Sequence, residues 1–168
     1  MSCDEIPEAA ALIRDFVNTY EVGHDLDRIP DLPSLRRWLS EHGLVSQVAK
    51  GGAADLQSAR HLRDAFRAQL AGDGEPAPIP QLPLCPAWGE GGARLVPADG
   101  GLRGGLARLT IAAVECSTDG SWGRLKVCAA ESCRWAFYDT SRNRSRAWCS
   151  MDVCGNREKT KAYRARHR

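Results

Sequence analysis

Between Cys128 and Cys154 the chain sets four cysteines in two pairs, Cys128 with Cys133 and Cys149 with Cys154, each pair spanning four residues and separated by fifteen. A short loop turning two thiolates to one side, repeated across a hairpin-length insert, supplies the four corners that tetrahedral zinc requires. The pattern constrains the fold strongly, because a unit of about 45 residues cannot bury enough apolar surface to offset its chain entropy. A structural Zn²⁺ supplies on the order of 10–16 kcal/mol to such a peptide. The expectation is therefore one structural zinc, with ordinary buried thiols and a redox or iron–sulfur centre as the alternatives. The N-terminal MSCDEIPEAAALIRDF lacks a secretory pattern and no apolar run approaches the ~20 residues of a membrane span, so the chain reads as cytosolic with no membrane partner. In that reducing compartment an odd total of seven cysteines argues against a disulfide framework.

The near-neutral total charge of +2 conceals a division: residues 121–168 carry +8 and the first 120 carry −6. A basic end on an acidic body points to a polyanionic partner. Arg142, Arg144 and Arg146 alternate within SRNRSRAW. After Cys154 the segment GNREKTKAYRARHR favours a helix without an apolar stripe, and places Arg157, Lys161, Arg164 and Arg168 on one face. Lys159 and Arg166 add to the cationic surface, and Asn143 and Asn156 are candidates to read base edges, Asn156 equally to tie down the turn behind Cys154. RWAFYD (134–139) reads as a strand with RAWC (146–149) as its antiparallel return, so that Trp135, Phe137 and Trp148 cover the metal. Asp139, an acid in basic surroundings, is expected to brace the hairpin by pairing with an arginine.

The first 120 residues read as a mainly helical domain. Apolar residues recur at helical spacing over 7–20, 32–44 and 54–70, with Gly43 and Gly72 as stops, and over 105–116. Proline and glycine crowd 72–92, so 72–101 reads as a loop in which ARLVPADGG gives a short strand or hairpin. STDGSWG (117–123) then separates the body from the tail. Overall the fold class is mainly α, with a small C-terminal treble-clef-like Zn(Cys)4 finger of β-hairpin and α-helix over 121–168.

The run LKVCAAESCRWAFYDTSRNRSRAWCSMDVCGNREKTKAYRARHR resembles the CGNR zinc-finger family, named for the tetrapeptide Cys154, Gly155, Asn156, Arg157. Ahead of it, DFVNT (15–19) followed by DLPSLRRWLSEHGL looks like the helical ABATE domain that precedes this finger in bacterial proteins. Ala147 stands where the family carries a second arginine. The resemblance implies a bacterial transcription regulator, with a finger that binds nucleic acid and an N-terminal domain that senses a small molecule or a stress signal.

On these grounds the expected function is duplex DNA binding by the finger, with room for a small-molecule effector and a homodimer. The rivals are docking of the basic finger on the transcription machinery, such as RNA polymerase, and RNA binding. Exposed Trp135 and Tyr138 would favour RNA through base stacking. No nucleophile elbow, phosphate loop, HExxH or dinucleotide fingerprint occurs, so no enzyme is expected. His24, His42, His61 and His167 lack metal spacing, and Cys3, Cys85 and Cys116 read as packing or exposed thiols. Asn18 and Tyr20 read as a polar helix end, facing solvent or capping a neighbour, with the lining of a pocket as the alternative.

Overall fold

The computed structural model describes residues 5–72 and 78–167. Helix α1, Glu8–Val17, turns Ala10, Ile13, Phe16 and Val17 inward, all of them without solvent exposure. Helix α2, Leu32–Glu41, starts where the Asp31 carboxylate accepts the Ser34 backbone N–H at 2.8 Å, and it stops before Gly43 at φ +68°. Helix α3, Ala53–Ala71, ends at Gly72 with φ +70°. Helix α4, Gly101–Asp119, starts four residues ahead of the predicted 105, through a Gly-Gly pair of low helix propensity. Packing explains the glycine inside it: a Cβ on Gly105 would sit 2.5 Å from the Val45 side chain, so glycine lets α4 approach the segment after α2 this closely.

These helices share one core, in which α1 packs on both α3 and α4. An aromatic chain crosses it, from Trp38 to Phe16 (5.3 Å between ring centres), Phe16 to Phe66 (6.3 Å) and Phe66 to Trp122 (6.0 Å). Trp122 opens the segment leading into the cysteine-rich region, so the chain of rings runs from α2 to that entrance.

Among the described residues, three two-stranded antiparallel hairpins complete the fold. β1, Tyr20–Glu21, pairs with β2, Leu26–Asp27. β3, Leu84–Gly89, pairs with β4, Gly92–Pro97, which corrects the expectation that 72–92 forms only a loop. The prolines are tolerated because each strand has just one partner and a missing N–H can face away from it. β5, Leu125–Val127, pairs with β6, Ala136–Tyr138, and its Leu125 and Ala136 are buried in the same core as the helices. The predicted pairing of RWAFYD with RAWC is thereby corrected: the strand's partner lies upstream, and 146–149 is irregular.

Two buried arginines of α3 tie the first hairpin down. Arg63, 4% exposed, grips Asp27 through Nη1 and Nη2 at 2.7 and 3.0 Å, and Arg67 donates to the Val17 and Tyr20 carbonyls. Burial pushes the Asp27 carboxyl up, but the Arg63 hydrogen bonds, the Ile29 N–H and the charges of Arg63 and Arg60 together outweigh it and hold it below its ordinary value. Asp27→Asn leaves a buried guanidinium with only the exposed Asp64 carboxylate at 4.0 Å as counter-charge and is expected to cost about 3 kcal/mol in urea unfolding, most of it recovered in Asp27→Asn with Arg63→Met. A loss below about 1 kcal/mol would refute the pairing's importance.

No helix among the described residues is long and apolar enough to cross a membrane. Cys116 is buried in the core, Cys85 is exposed on β3, and Cys3 lies outside the described residues.

Candidate metal centre

Two turns carry the cysteines. In the first, Cys128 follows β5, and the N–H groups of Cys133 and Arg134 both donate to the Ala130 carbonyl, at 2.9 and 3.1 Å. In the second, a single π-turn over Met151–Gly155 returns the Cys154 and Gly155 N–H groups to the Ser150 carbonyl, at 3.0 and 3.1 Å. The Ala129 N–H donates to Ala147 O at 2.9 Å and clamps one turn to the other.

The four Sγ atoms of Cys128, Cys133, Cys149 and Cys154 consequently lie within 4.8 Å of one another. Cys149 Sγ is 3.7 Å from Cys133 Sγ and 3.8 Å from Cys154 Sγ. Four sulfurs at about 2.3 Å from a tetrahedral zinc stand about 3.8 Å apart, so the donor set fits this ion. Cys128 and Cys154 are buried, whereas Cys133 and Cys149 are partly open. Trp148 packs against the cluster as expected. Trp135 lines a cavity of about 510 Å³ beside it, bounded also by Glu21, Gly23 and His24. Phe137 sits elsewhere, with the Arg146 guanidinium 5.2 Å from its ring centre.

Electrostatics favour a dication. Burial pushes the Cys128 thiol up, but N–H donation from Cys149 and Ala130 prevails and the net shift is downward. Burial, reinforced by hydrogen bonds with Cys133 and Cys154, pushes the Cys149 thiol far up. Cys154 is raised too, by burial first and by Cys133 next. Cys149 and Cys154 are thus held in the thiol form, and a bound dication would offset the burial that opposes their ionisation.

The cations flank this centre on two supports. The 141–146 loop is pinned from beneath by Asp139, whose side chain is fully buried. Asp139 accepts from Lys126 Nζ at 2.7 Å, the Ser141 N–H at 3.0 Å, Ser141 Oγ at 2.5 Å and the Arg146 N–H at 2.9 Å. Its partner is therefore a lysine and backbone amides, correcting the predicted arginine side chain. Lys126 also donates to the carbonyls of Arg144 and Arg146. With the backbone held inward, the side chains of Arg142, Asn143, Arg144 and Arg146 are left exposed.

The second support is helix α5, Asn156–Arg166, continuous with the π-turn that carries Cys154. Arg157, Lys161 and Arg164 line one groove of about 860 Å³. Lys159 and Arg166 fall on the far side of the helix at 100° per residue. Asn156 Nδ2 donates to Asp152 O at 3.1 Å, the turn-tying role, and Arg157 Nη1 donates to Ser132 Oγ at 3.1 Å. Arg168 lies outside the described residues.

Sequence reasoning missed what docks the finger on the body. Asn18, 6% exposed, donates through Nδ2 to Ala136 O at 2.9 Å and accepts the Ala136 N–H on Oδ1 at 2.8 Å. Its amide thus acts as one further rung on β6. Gly23 approaches so closely that a Cβ would meet Ser132 O at 2.4 Å. The available signal was a polar Asn at the end of an otherwise apolar helix.

Two family models match this arrangement. That of the CGNR zinc finger covers residues 124–167, and that of ABATE, described as "Putative stress-induced transcription regulator", covers 10–132. The chain belongs to the ABATE family. It joins an ABATE domain to a CGNR zinc finger, the two matches overlapping across β5 and the first cysteine turn. No curated protein matches the chain.

Proposed function

We propose that the finger binds duplex DNA with α5 in the major groove. The observation that carries this reading is the helix itself: every residue described from Asn156 to His167 is exposed except half-buried Glu158. A helix polar all round gains little from its own protein and is suited to be enclosed by a partner. A B-form major groove admits one α-helix and presents phosphates on both walls, which suits cations on opposite faces, Arg157, Lys161 and Arg164 on one and Lys159 and Arg166 on the other. Trp135 and Tyr138 are both partly buried, and Tyr138 packs on the body core, which weighs against a stacking platform for single strands. The body of the chain would hold and orient the finger through Asn18 and Gly23, giving an effector a route to the DNA contacts. This reading assigns the chain no catalysis and places it with bacterial DNA in the cytosol, where the four thiols stay reduced.

Fluorescence anisotropy with a mixed-sequence duplex across a salt series tests it. With ~5 phosphates neutralised, log K falls against log salt with a slope of about −4 to −5, and Arg157→Ala with Lys161→Ala and Arg164→Ala removes about 2–3 of that slope. Salt-independent binding, or tighter binding to single strands than to duplex, would refute the reading. Selection from a random duplex pool then identifies the motif.

A further inference from the structure

A second surface lies away from the finger. Along α4, Arg108, Val114 and Glu115 are exposed and Ile111 is half-buried, forming a stripe that the chain's own core leaves uncovered. Arg108 and Glu115 stand two helical turns apart, with Ile111 near the midpoint between them. Beside the stripe is a groove of about 490 Å³ that Leu12, Leu95 and Ile111 help to line. In the β3–β4 register Trp88 opposes Ala93 and Pro86 opposes Leu95, so these four share one face of the hairpin. Trp88 is 84% exposed there and Leu95 41%. Glu8 and Arg94 complete a rim of two acids and two bases with Arg108 and Glu115, and none of the four forms an ion pair within the described residues.

We propose that this face joins two copies of the chain about a two-fold axis, α4 of one copy crossing α4 of the other antiparallel at Ile111. Antiparallel packing about that point puts Arg108 opposite Glu115 of the partner, and the same contact occurs twice by symmetry. The charge pattern selects this occupant: a rim with balanced signs complements itself, whereas an acidic or basic partner would call for a rim of one sign. Trp88 and Leu95 flank the crossing and extend the apolar area towards the roughly 1,200 Å² that a stable pairing needs. The inference goes beyond the DNA reading and does not depend on it. Two fingers in fixed relation would add the specificity that one small finger lacks, by reading two half-sites.

Light scattering and sedimentation of the full zinc-loaded chain test it, with zinc content and circular dichroism confirming that each variant is folded. The wild type is expected to be a dimer. Trp88→Ala and Ile111→Asp each weaken it by about tenfold or more, in the manner of central interface residues. Arg108→Glu and Glu115→Arg each weaken it about tenfold, and combined they restore it, because both facing pairs are then reversed together. Val48→Ser, at an exposed site elsewhere, leaves it unchanged. A monomeric wild type overturns the proposal, while leaving DNA binding by the finger standing. So does a dimer indifferent to Trp88→Ala and Ile111→Asp, or a charge swap that fails to restore it.

Discussion

Cys154→Ser, or removal of the metal by a strong chelator, is expected to unfold the segment from Arg124 to His167. Its buried cysteine cluster comprises only Cys128, Ala130 and Cys154, with Trp148, Cys133 and Cys149 against it, and no apolar core of its own underlies α5. Zinc binding on the order of 10–16 kcal/mol therefore decides whether this part is folded. Metal analysis should return one zinc per chain. Hydrogen exchange should show protection lost across 124–167 on chelation, while α1 to α3 keep theirs. The loss should spread into the body where Leu125 and Ala136 leave the shared core, seen as a lower midpoint for the body's own unfolding. Metal-free protein with full protection in the finger would overturn the assignment.

Asp139→Ala is expected to cost about 3–5 kcal/mol in chemical unfolding of the zinc-loaded protein, since it leaves Lys126 without its counter-charge and the Ser141 and Arg146 N–H groups without their acceptor. Burial alone would push the Asp139 carboxyl up, but Lys126, Ser141 and the Arg146 N–H prevail and hold it well below the ordinary carboxylate range. A carboxyl depressed in the folded state contributes in full above its unfolded value near 3.9, and that contribution declines as pH falls below it. Acid titration should therefore separate wild type from variant at neutral pH and bring them together in strong acid. The variant should also bind duplex with a shallower salt dependence, because the 141–146 backbone is no longer fixed. A cost below about 1 kcal/mol, with the same difference at every pH, would show that the carboxylate is incidental.

The legibility of the chain followed the range of each interaction. Helices α1 to α3 and the cysteine centre were readable because their signals are local: apolar residues three and four apart, glycine stops, and thiol spacings fixed by a metal's geometry. β3 was obscured by Pro86 and by a strand with little burial contrast between its faces, which removes the alternation that marks a half-buried strand. RAWC mimics a partner for β6 because it shares its aromatic character, whereas the pairing follows from Leu125 and Ala136 entering the body core. Asn18 reaches Ala136 across 118 residues, a contact that no pattern within either segment announces. Lys126 is hidden for a related reason, since one lysine among many cations gives no sign that it turns inward to the Asp139 carboxylate.

Because a side-chain amide completes the hydrogen-bonding edge of β6, the zinc-bearing module has no clean border. Excised at its sequence boundary, it would carry a bare strand flank and two aliphatic residues facing water. Zinc occupancy and the integrity of α1 are therefore thermodynamically reciprocal. Whatever tightens the end of that helix tightens the grip on the ion, by the same free energy that the ion returns to the helix.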